Sequence, residues 1–522
     1  MSLRFSSRYA VRQLAGLCAV FIVFLMAGGT QAQTQVGSDI RGAGSESFSG
    51  FSVALSSDGS RLAIGSVGNS SNGDRAGLVR VYEYDGSEWT PLGLAIEGEA
   101  AGDEAGWSVA LSWDGNTVAV GAPGYDGAAV DAGYVRTFRY DGTQWLRLGS
   151  EINGEAEGDR FGTSVSLSSD GNQLAAGAPG NDGTGPDAGH VRVFQLDSSE
   201  WVPFGSAIDG EAGGDRSGEA ISLSSGGLSL AVGAPFSDGN GDTSGHVRVY
   251  EYDGSAWVQL GFDMDGEEPT NQFGSSVALS ADGSRVAAGA PFHGPDGDQS
   301  GQVRVYEFTS IGWLQLGADL DGVARGDMSG SAVSLSADGI RLAVGAPGHA
   351  SNGARSGHLQ VYDFDGDEWI QVGADIDSRS RGDRFGASIS LAADGSQLVA
   401  GGPGNSDAGL FAGHTRVFEI DASPVNRARS EVPASPAVVL SPVYPNPFTD
   451  RASFSVTLPA PESVSVAVFD ALGRQVMQLH SGMLPVNAAH TFRVERGGLP
   501  SGVYVLRVAG RTFAESRRIV VR

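Results

Sequence analysis

The sequence predicts an all-β chain: a seven-bladed β-propeller closed by an N-terminal strand and followed by a small C-terminal β domain. Three observations carry this. An Asp-Gly turn recurs at Asp58, Asp114, Asp170, Asp282, Asp338 and Asp394, with Gly226 in the fourth place, and every step is 56 residues. Trp89, Trp145, Trp201, Trp257, Trp313 and Trp369 keep the same ruler, whereas the seventh place is Val425. Gln35-Val36-Gly37-Ser38-Asp39-Ile40 matches Gln371 to Ile376 of the sixth unit. A fixed period of this size marks stacked supersecondary units. An N-terminal segment in the register of a missing last strand is what a ring needs to close, and an open solenoid has no use for it.

In chain order, residues 1–32 read as a signal peptide. Arg4, Arg8 and Arg12 precede an apolar run from Leu14 to Ala27, and Thr30-Gln31-Ala32 offers small residues for cleavage. The run is short for a membrane span, so no integral span is expected after cleavage. Cys18, the one cysteine, lies inside it, and the mature chain is expected to have neither disulfides nor thiol chemistry.

Residues 33–424 number 392, seven times 56. Within a unit, Ser164 to Ser168 alternates apolar and polar residues at period 2. Asp170-Gly171 is expected to form a two-residue hairpin turn of the primed type. The second strand, Gln173 to Gly177, stops before Pro179, which has no N–H to give a ladder. His190 to Phe194 is the third strand and Trp201 to Gly205 the fourth. No helical period occurs, and four short strands per unit predict propeller blades. Residues 425–439 read as a linker rich in Pro, Ser and Ala, and residues 440–522 as the separate C-terminal domain.

Charge narrows the partners. The chain holds 61 acidic and 34 basic residues for a net charge of −27, and every basic residue is Arg. Residues 33–439 alone carry 56 acids against 22 Arg. Such a field repels nucleic acid and anionic lipid and attracts cations.

The loops between second and third strands and those between blades emerge on one face, and both are rich in Asp, Glu and Gly. Loops held on a rigid scaffold are the usual place for binding. Asp238, Asn240 and Asp242 have oxygen ligands at alternate positions, the spacing for a hard cation such as calcium; the same residues are good turn formers. No other cofactor is expected. His190, His246, His358 and His414 share one place at the start of the third strand, where Leu78, Tyr134 and Gln302 stand in the other units. A ring of imidazoles suits a transition metal, while Leu and Tyr in the same place argue for bulk. Arg80, Arg136, Arg192, Arg248, Arg304 and Arg416 recur, with Gln360 as the exception, and read as pairing between blades. The Trp read as packing, with Trp201→Ala expected to cost about 3–5 kcal/mol.

No catalytic residues stand out: there is no HExxH, no P-loop and no GxSxG in a strand-to-helix context. The expected function is a non-enzymatic binding, adhesion or surface-structural module with an extracellular glycan or protein ligand. A secreted glycosidase or lyase on the acidic loop face is the alternative.

Two resemblances sharpen this. Units such as Gly158-Asp159-Arg160-Phe161-Gly162 and Gly382-Asp383-Arg384-Phe385-Gly386, each leading into the strand, the Asp-Gly turn and Gly-Ala-Pro, resemble the bacterial form of the FG-GAP repeats of integrin alpha-subunit propellers. The Phe is replaced at Ser49, Ala105, Ser217 and Ser329, and Phe51 and Trp107 are expected to fill its volume in two units. The Asp-rich calcium loop of that family, between first and second strands, is missing from all seven units, so calcium does not carry over by position.

The C-terminal domain resembles the type IX secretion sorting domain. Its motifs are Tyr444-Pro445-Asn446-Pro447-Phe448, a segment ending Gly473-Arg474, and Gly502-Val503-Tyr504. The resemblance implies a small β-sandwich read by the secretion machinery, and export across both membranes of a Gram-negative bacterium to the surface or beyond.

Overall fold

Alternating side chains and short turns give each 56-residue unit an antiparallel sheet. The computed structural model describes residues 33–127, 129–294 and 298–421. In the C-terminal part it describes 439–440, 448–458, 462–469, 475–484, 490–500, 502–509 and 514–521. The expected signal peptide and nearly all of the expected linker lie outside the described residues.

In the third unit, Ser164–Leu167, Gln173–Ala178, His190–Asp197 and Glu200–Pro203 pair in chain order, and Ile208–Asp209 pairs with the start of the third strand. Seven such sheets form the ring, the seven-bladed propeller that the period predicts. The outer strand is interrupted because Gly205 takes φ +86°, and a Cβ there would meet Trp257 Cδ1 of the next blade at 2.8 Å. The Trp257 indole N–H donates to Phe204 O at 2.8 Å. The same staple joins Trp145 to Leu92 O at 2.8 Å and Trp369 to Leu316 O at 2.8 Å. The recurrent Trp therefore spans a blade junction while packing on the hydrophobic clusters between blades. Trp89 and Trp369 are buried, but Trp145, Trp201, Trp257 and Trp313 keep partial exposure.

The N-terminal strand closes the ring. Thr34 and Gln35 pair with Glu419 and Phe418, and Ile40 and Arg41 with Thr415 and His414. Trp89 Nε1–H then reaches Val36 O at 3.1 Å, so the borrowed strand receives the same staple as the others. A second closure lies on the face of the Asp-Gly turns. The N–H of Ser57 donates to Trp113 O, Trp113 to Ser169, Ser169 to Ser225, Ser225 to Ala281, Ala281 to Ala337, Ala337 to Ala393, and Ala393 back to Ser57, all at 2.8–3.0 Å. Seven main-chain hydrogen bonds thus run round the ring without a gap.

The turn itself differs from the expected primed hairpin. Only the glycine is left-handed (Gly171, φ +66°), and the strands first pair at Leu167 and Leu174. Asp170 holds its place through its side chain: one carboxylate oxygen accepts from Ser168 Oγ at 2.6 Å and from Asn172 N–H at 3.0 Å. The Asp is there to bond the turn, so it does not need the left-handed conformation that a primed turn imposes at both positions.

The C-terminal part packs a three-stranded sheet (Val439–Leu440, Arg451–Thr457, His490–Glu495) with a four-stranded one (Gln475–Leu484, Glu462–Phe469, Gly502–Ala509, Ala514–Val521). Phe454, Val466, Val468, Val494, Leu506 and Ile519 share their buried core. Of the sorting motif, Phe448 is buried and donates its N–H to Val520 O at 2.9 Å. Tyr504 is buried with its hydroxyl on Pro500 O at 2.8 Å, and Gly502 begins its strand. Tyr444, Pro445, Asn446, Pro447, Gly473 and Arg474 lie outside the described residues.

Candidate functional site on the loop face

The face opposite the Asp-Gly turns is built on buried acids. Asp103, Asp159, Asp215, Asp327 and Asp383 repeat on the ruler and are all buried. Asp159 accepts from the N–H groups of Glu155 and Ala156 at 2.8 and 2.9 Å, and from Asn181 Nδ2 at 3.2 Å. It thereby ties the inter-blade loop to the loop between second and third strands. Burial pushes Asp103 and Asp383 above the usual carboxylate range despite such hydrogen bonds.

The recurrent Arg bind blade to blade, as the ruler suggests. Arg192 donates to Asn153 O of the preceding blade at 2.6 Å and pairs with Glu155 at 3.1 Å. Arg304 repeats this with Asp265 O at 2.8 Å and Glu267 at 3.4 Å. Their guanidinium carbons stand 4.2 and 4.3 Å from the ring centres of Phe161 and Phe273, a cation–π seat on the buried Phe of the repeat. In blade 4, Arg248 pairs with Glu211 and, at 2.7 Å, with Asp263.

Two rows of left-handed residues other than glycine also mark this face. In each unit they are joined by a main-chain hydrogen bond: Arg160 N–H to Asp131 O at 3.0 Å, Arg216 to Asp187 at 3.0 Å, Met328 to Gln299 at 3.1 Å. Such positions are strained and persist only where the surroundings over-determine them.

Phe51 and Trp107 do not fill the Phe volume. Both are half-exposed, with ring centres 4.8 Å apart across the junction of blades 1 and 2. In blade 2 it is the buried Tyr134 that packs in one cluster with Ala105. The reason is direction: two places along the chain, the side chain belongs to the innermost strand and faces the channel mouth. That same place in the other blades is Thr163, Glu219, Ser275, Ser331 and Ala387. Burial pushes the Glu219 carboxyl up, opposed by Arg216 and Arg160. Arg160 also stands 5.9 Å from the Trp107 ring centre. The mouth thus gathers exposed aromatic surface, one partly desolvated carboxylate and two guanidinium groups. The register marks this place by variety and not by repetition, with six residue types in seven blades.

At the expected calcium loop, Asp238 accepts from Thr243 N–H at 2.8 Å and Asn240 Nδ2 donates to Gly266 O at 2.9 Å. Asp182 accepts from Asp187 N–H at 2.9 Å, and Asn352 donates to Ser378 O at 2.6 Å, in the same places of other blades. The four His of the third-strand row are buried in separate blades and do not converge. Burial lowers the pKa of each below the usual histidine value, and that of His414 to about 4.

Comparison with known proteins agrees with this architecture. Residues 153–194 match the family model of the FG-GAP repeat, and residues 442–522 that of the secretion system C-terminal sorting domain. The chain is a β-propeller that carries an FG-GAP repeat at residues 153–194, followed by a sorting domain that indicates secretion or attachment to the cell surface through the type IX system. No helix among the described residues is long and apolar enough to cross a membrane. A search of curated proteins finds no match.

Among solved structures, Raptor from Chaetomium thermophilum is 11% identical over 76% of this chain and 29% of its own, at a TM-score of 0.46. The β-propeller domain of the Trilobed protease from Pyrococcus furiosus is 10% identical over 73% and 96%, at 0.42. The acylaminoacyl peptidase of Pyrococcus horikoshii is 11% identical over 82% and 58%, at 0.38. Likeness at that level says nothing of activity.

Proposed function

We propose that the protein is an exported, non-enzymatic binding module whose channel mouth on the loop face holds an extracellular glycan. The observation that carries this is that Phe51, Trp107 and Glu219 share the inner-strand place that holds six residue types in seven blades, with Arg160 and Arg216 of the neighbouring row beside them. Aromatic faces stack on the C–H faces of sugar rings, while a carboxylate and guanidinium groups take up hydroxyls. A few convergent polar groups beside apolar surface is the usual composition of a ligand site.

A glycan array probed with the purified chain tests it. Saturable binding that Trp107→Ala weakens at least tenfold, with no sugar released, supports the reading. Release of sugar that Glu219→Gln abolishes would make the protein a carbohydrate-active enzyme, since a carboxyl raised by burial is suited to general acid chemistry. Capture of proteins alone, with no glycan bound, would replace the glycan by a protein ligand.

A further inference from the structure

Blade 6 is the one blade in which three neighbouring changes coincide. Gln360 replaces the recurrent Arg, Val323 replaces the Glu that this Arg meets at Glu99, Glu155, Glu211 and Glu267 (Ala43 and Arg379 stand there at the other two junctions), and His349, like His293 of blade 5, stands where blades 3 and 7 have Asn181 and Asn405. The inter-blade ion pair is therefore missing on both sides, and Asp375 takes the amide of Gln360 where blade 4 gives Asp263 a guanidinium.

Around this gap lie His349, His358 and Asp377, each with a ligand atom within 4.8 Å of the other two. The two imidazoles are stacked, ring centres 3.9 Å apart at 22°. His349 Nδ1 is 3.0 Å from Asp327 and His358 Nδ1 is 3.6 Å from Asp375, yet neither nitrogen is aligned for a hydrogen bond, and both are buried. The His358 side chain is only 2% exposed. A buried imidazole nitrogen left unpaired costs free energy unless something takes its lone pair or its proton. Asp375 is held by the amides of Gln360 and Gln371 at 3.1 and 2.7 Å, and Asp377 by Ser351 Oγ at 2.7 Å. Nearby cations face elsewhere: Arg379 pairs with Asp39 at 3.4 Å, and Arg416 bonds the main-chain oxygen of Asp377 at 3.2 Å.

We propose that this cluster is a binding site for a divalent transition-metal ion of the zinc class, with His349, His358 and Asp377 as ligands and Asp327 and Asp375 as the carboxylates that orient the two imidazoles. Two neutral imidazoles and a carboxylate are the donor set zinc takes, and a carboxylate beside each ligating His is the usual support. Bonds of about 2.0–2.1 Å require the two rings to rotate out of their stack onto one ion. Blade 4 supplies the internal contrast. His246, Asp263 and Asp265 form a comparable group, but there Arg248 occupies the position of Gln360 and already neutralises Asp263 at 2.7 Å.

The test uses the full chain, made without a histidine tag, stripped with EDTA and titrated with cobalt(II), read by the visible absorption of the coordinated ion and by competition with zinc(II). One equivalent is expected to bind and to be displaced by zinc but not by excess calcium. His349→Asn and Gln360→Arg install residues that other blades carry at those places. Each should weaken binding about tenfold or more while leaving the metal-free melting temperature unchanged, and His246→Gln should leave binding unchanged. Absence of a visible band, binding unaffected by either blade 6 substitution, or equal loss in His246→Gln would overturn the assignment.

Discussion

The two faces of the propeller are built to different rules. On the turn face, seven turns with nearly the same residues are linked by an unbroken circle of main-chain hydrogen bonds through Ser57, Trp113, Ser169, Ser225, Ala281, Ala337 and Ala393. On the loop face, buried acids such as Asp159 and Asp383 hold the loops at their roots, and left-handed residues shape them. Beyond those roots the side chains vary from blade to blade. A closed circle demands that every member fit both neighbours, so a change in one turn is felt twice. A loop anchored at its root passes no such constraint to the next loop. Strain and variety therefore collect on one face, and so do the channel-mouth set and the His pair of blade 6.

The comparison breaks most severely if the circle is opened. Removing residues 33–41 takes away the strand paired to Phe418 and Thr415 and the acceptor of Trp89, and it exposes a strand edge. We expect a loss beyond about 5 kcal/mol, past the range of ordinary single lesions, seen as a melting transition far below that of the intact chain. An unchanged transition would mean the ring does not depend on its closure.

Next come the staples. Trp369→Ala should cost about 3–5 kcal/mol. Trp201→Ala should cost less, about 2–3 kcal/mol, because its indole is partly exposed, although its packing on the cluster around Phe161 and its hydrogen bonds to Leu148 O and Thr137 are lost. Denaturant melts of the two variants side by side check the order, and equal losses would refute the link between exposure and cost.

The loop face should respond to acid more than the turn face does. His414 stays neutral in the native protein down to about pH 4, against an ordinary value of 6.5. The unfolded chain binds the proton first, so stability falls as pH drops through that window, by roughly 3 kcal/mol in full. His414→Gln, the residue blade 5 carries at Gln302, should flatten the dependence of melting temperature on pH between about 6.5 and 4. A slope equal to that of the parent would assign the effect to other groups.

The smallest effect expected is that of calcium. Asp238 and Asn240 are engaged in the turn, so calorimetric titration should show weak heats that high salt removes, with at most about 1 kcal/mol of added stability. Saturable binding that survives salt would place a real site on 238–242.

The ruler made the propeller legible because period, alternation and turn residues are local properties that repeat. Register also exposed the closing strand, since Gln35 to Ile40 carries the pattern of Gln371 to Ile376. The site was less legible, and the failures share a cause. Proximity in sequence puts Phe51 and Trp107 in the volume of Phe161, but a shift of two residues carries a side chain from the blade interface to the mouth. The His row repeats round the ring, whereas the pair that meets, His349 and His358, lies within one blade.

What the sequence by itself determined is the kind of object: the number of blades, the way the ring closes, and the sorting domain that sends it out of the cell. Each follows from patterns within one 56-residue unit or from motifs within one short domain. Only the tertiary structure decided which side chains meet. Trp107 reaches Phe51 across a blade junction, Gln360 bonds Asp375 beside Asp377 and two stacked imidazoles, and Trp257 lies on Gly205. Those encounters depend on how neighbouring sheets are stacked and turned about the axis, a geometry set by the ring as a whole and written in no single repeat.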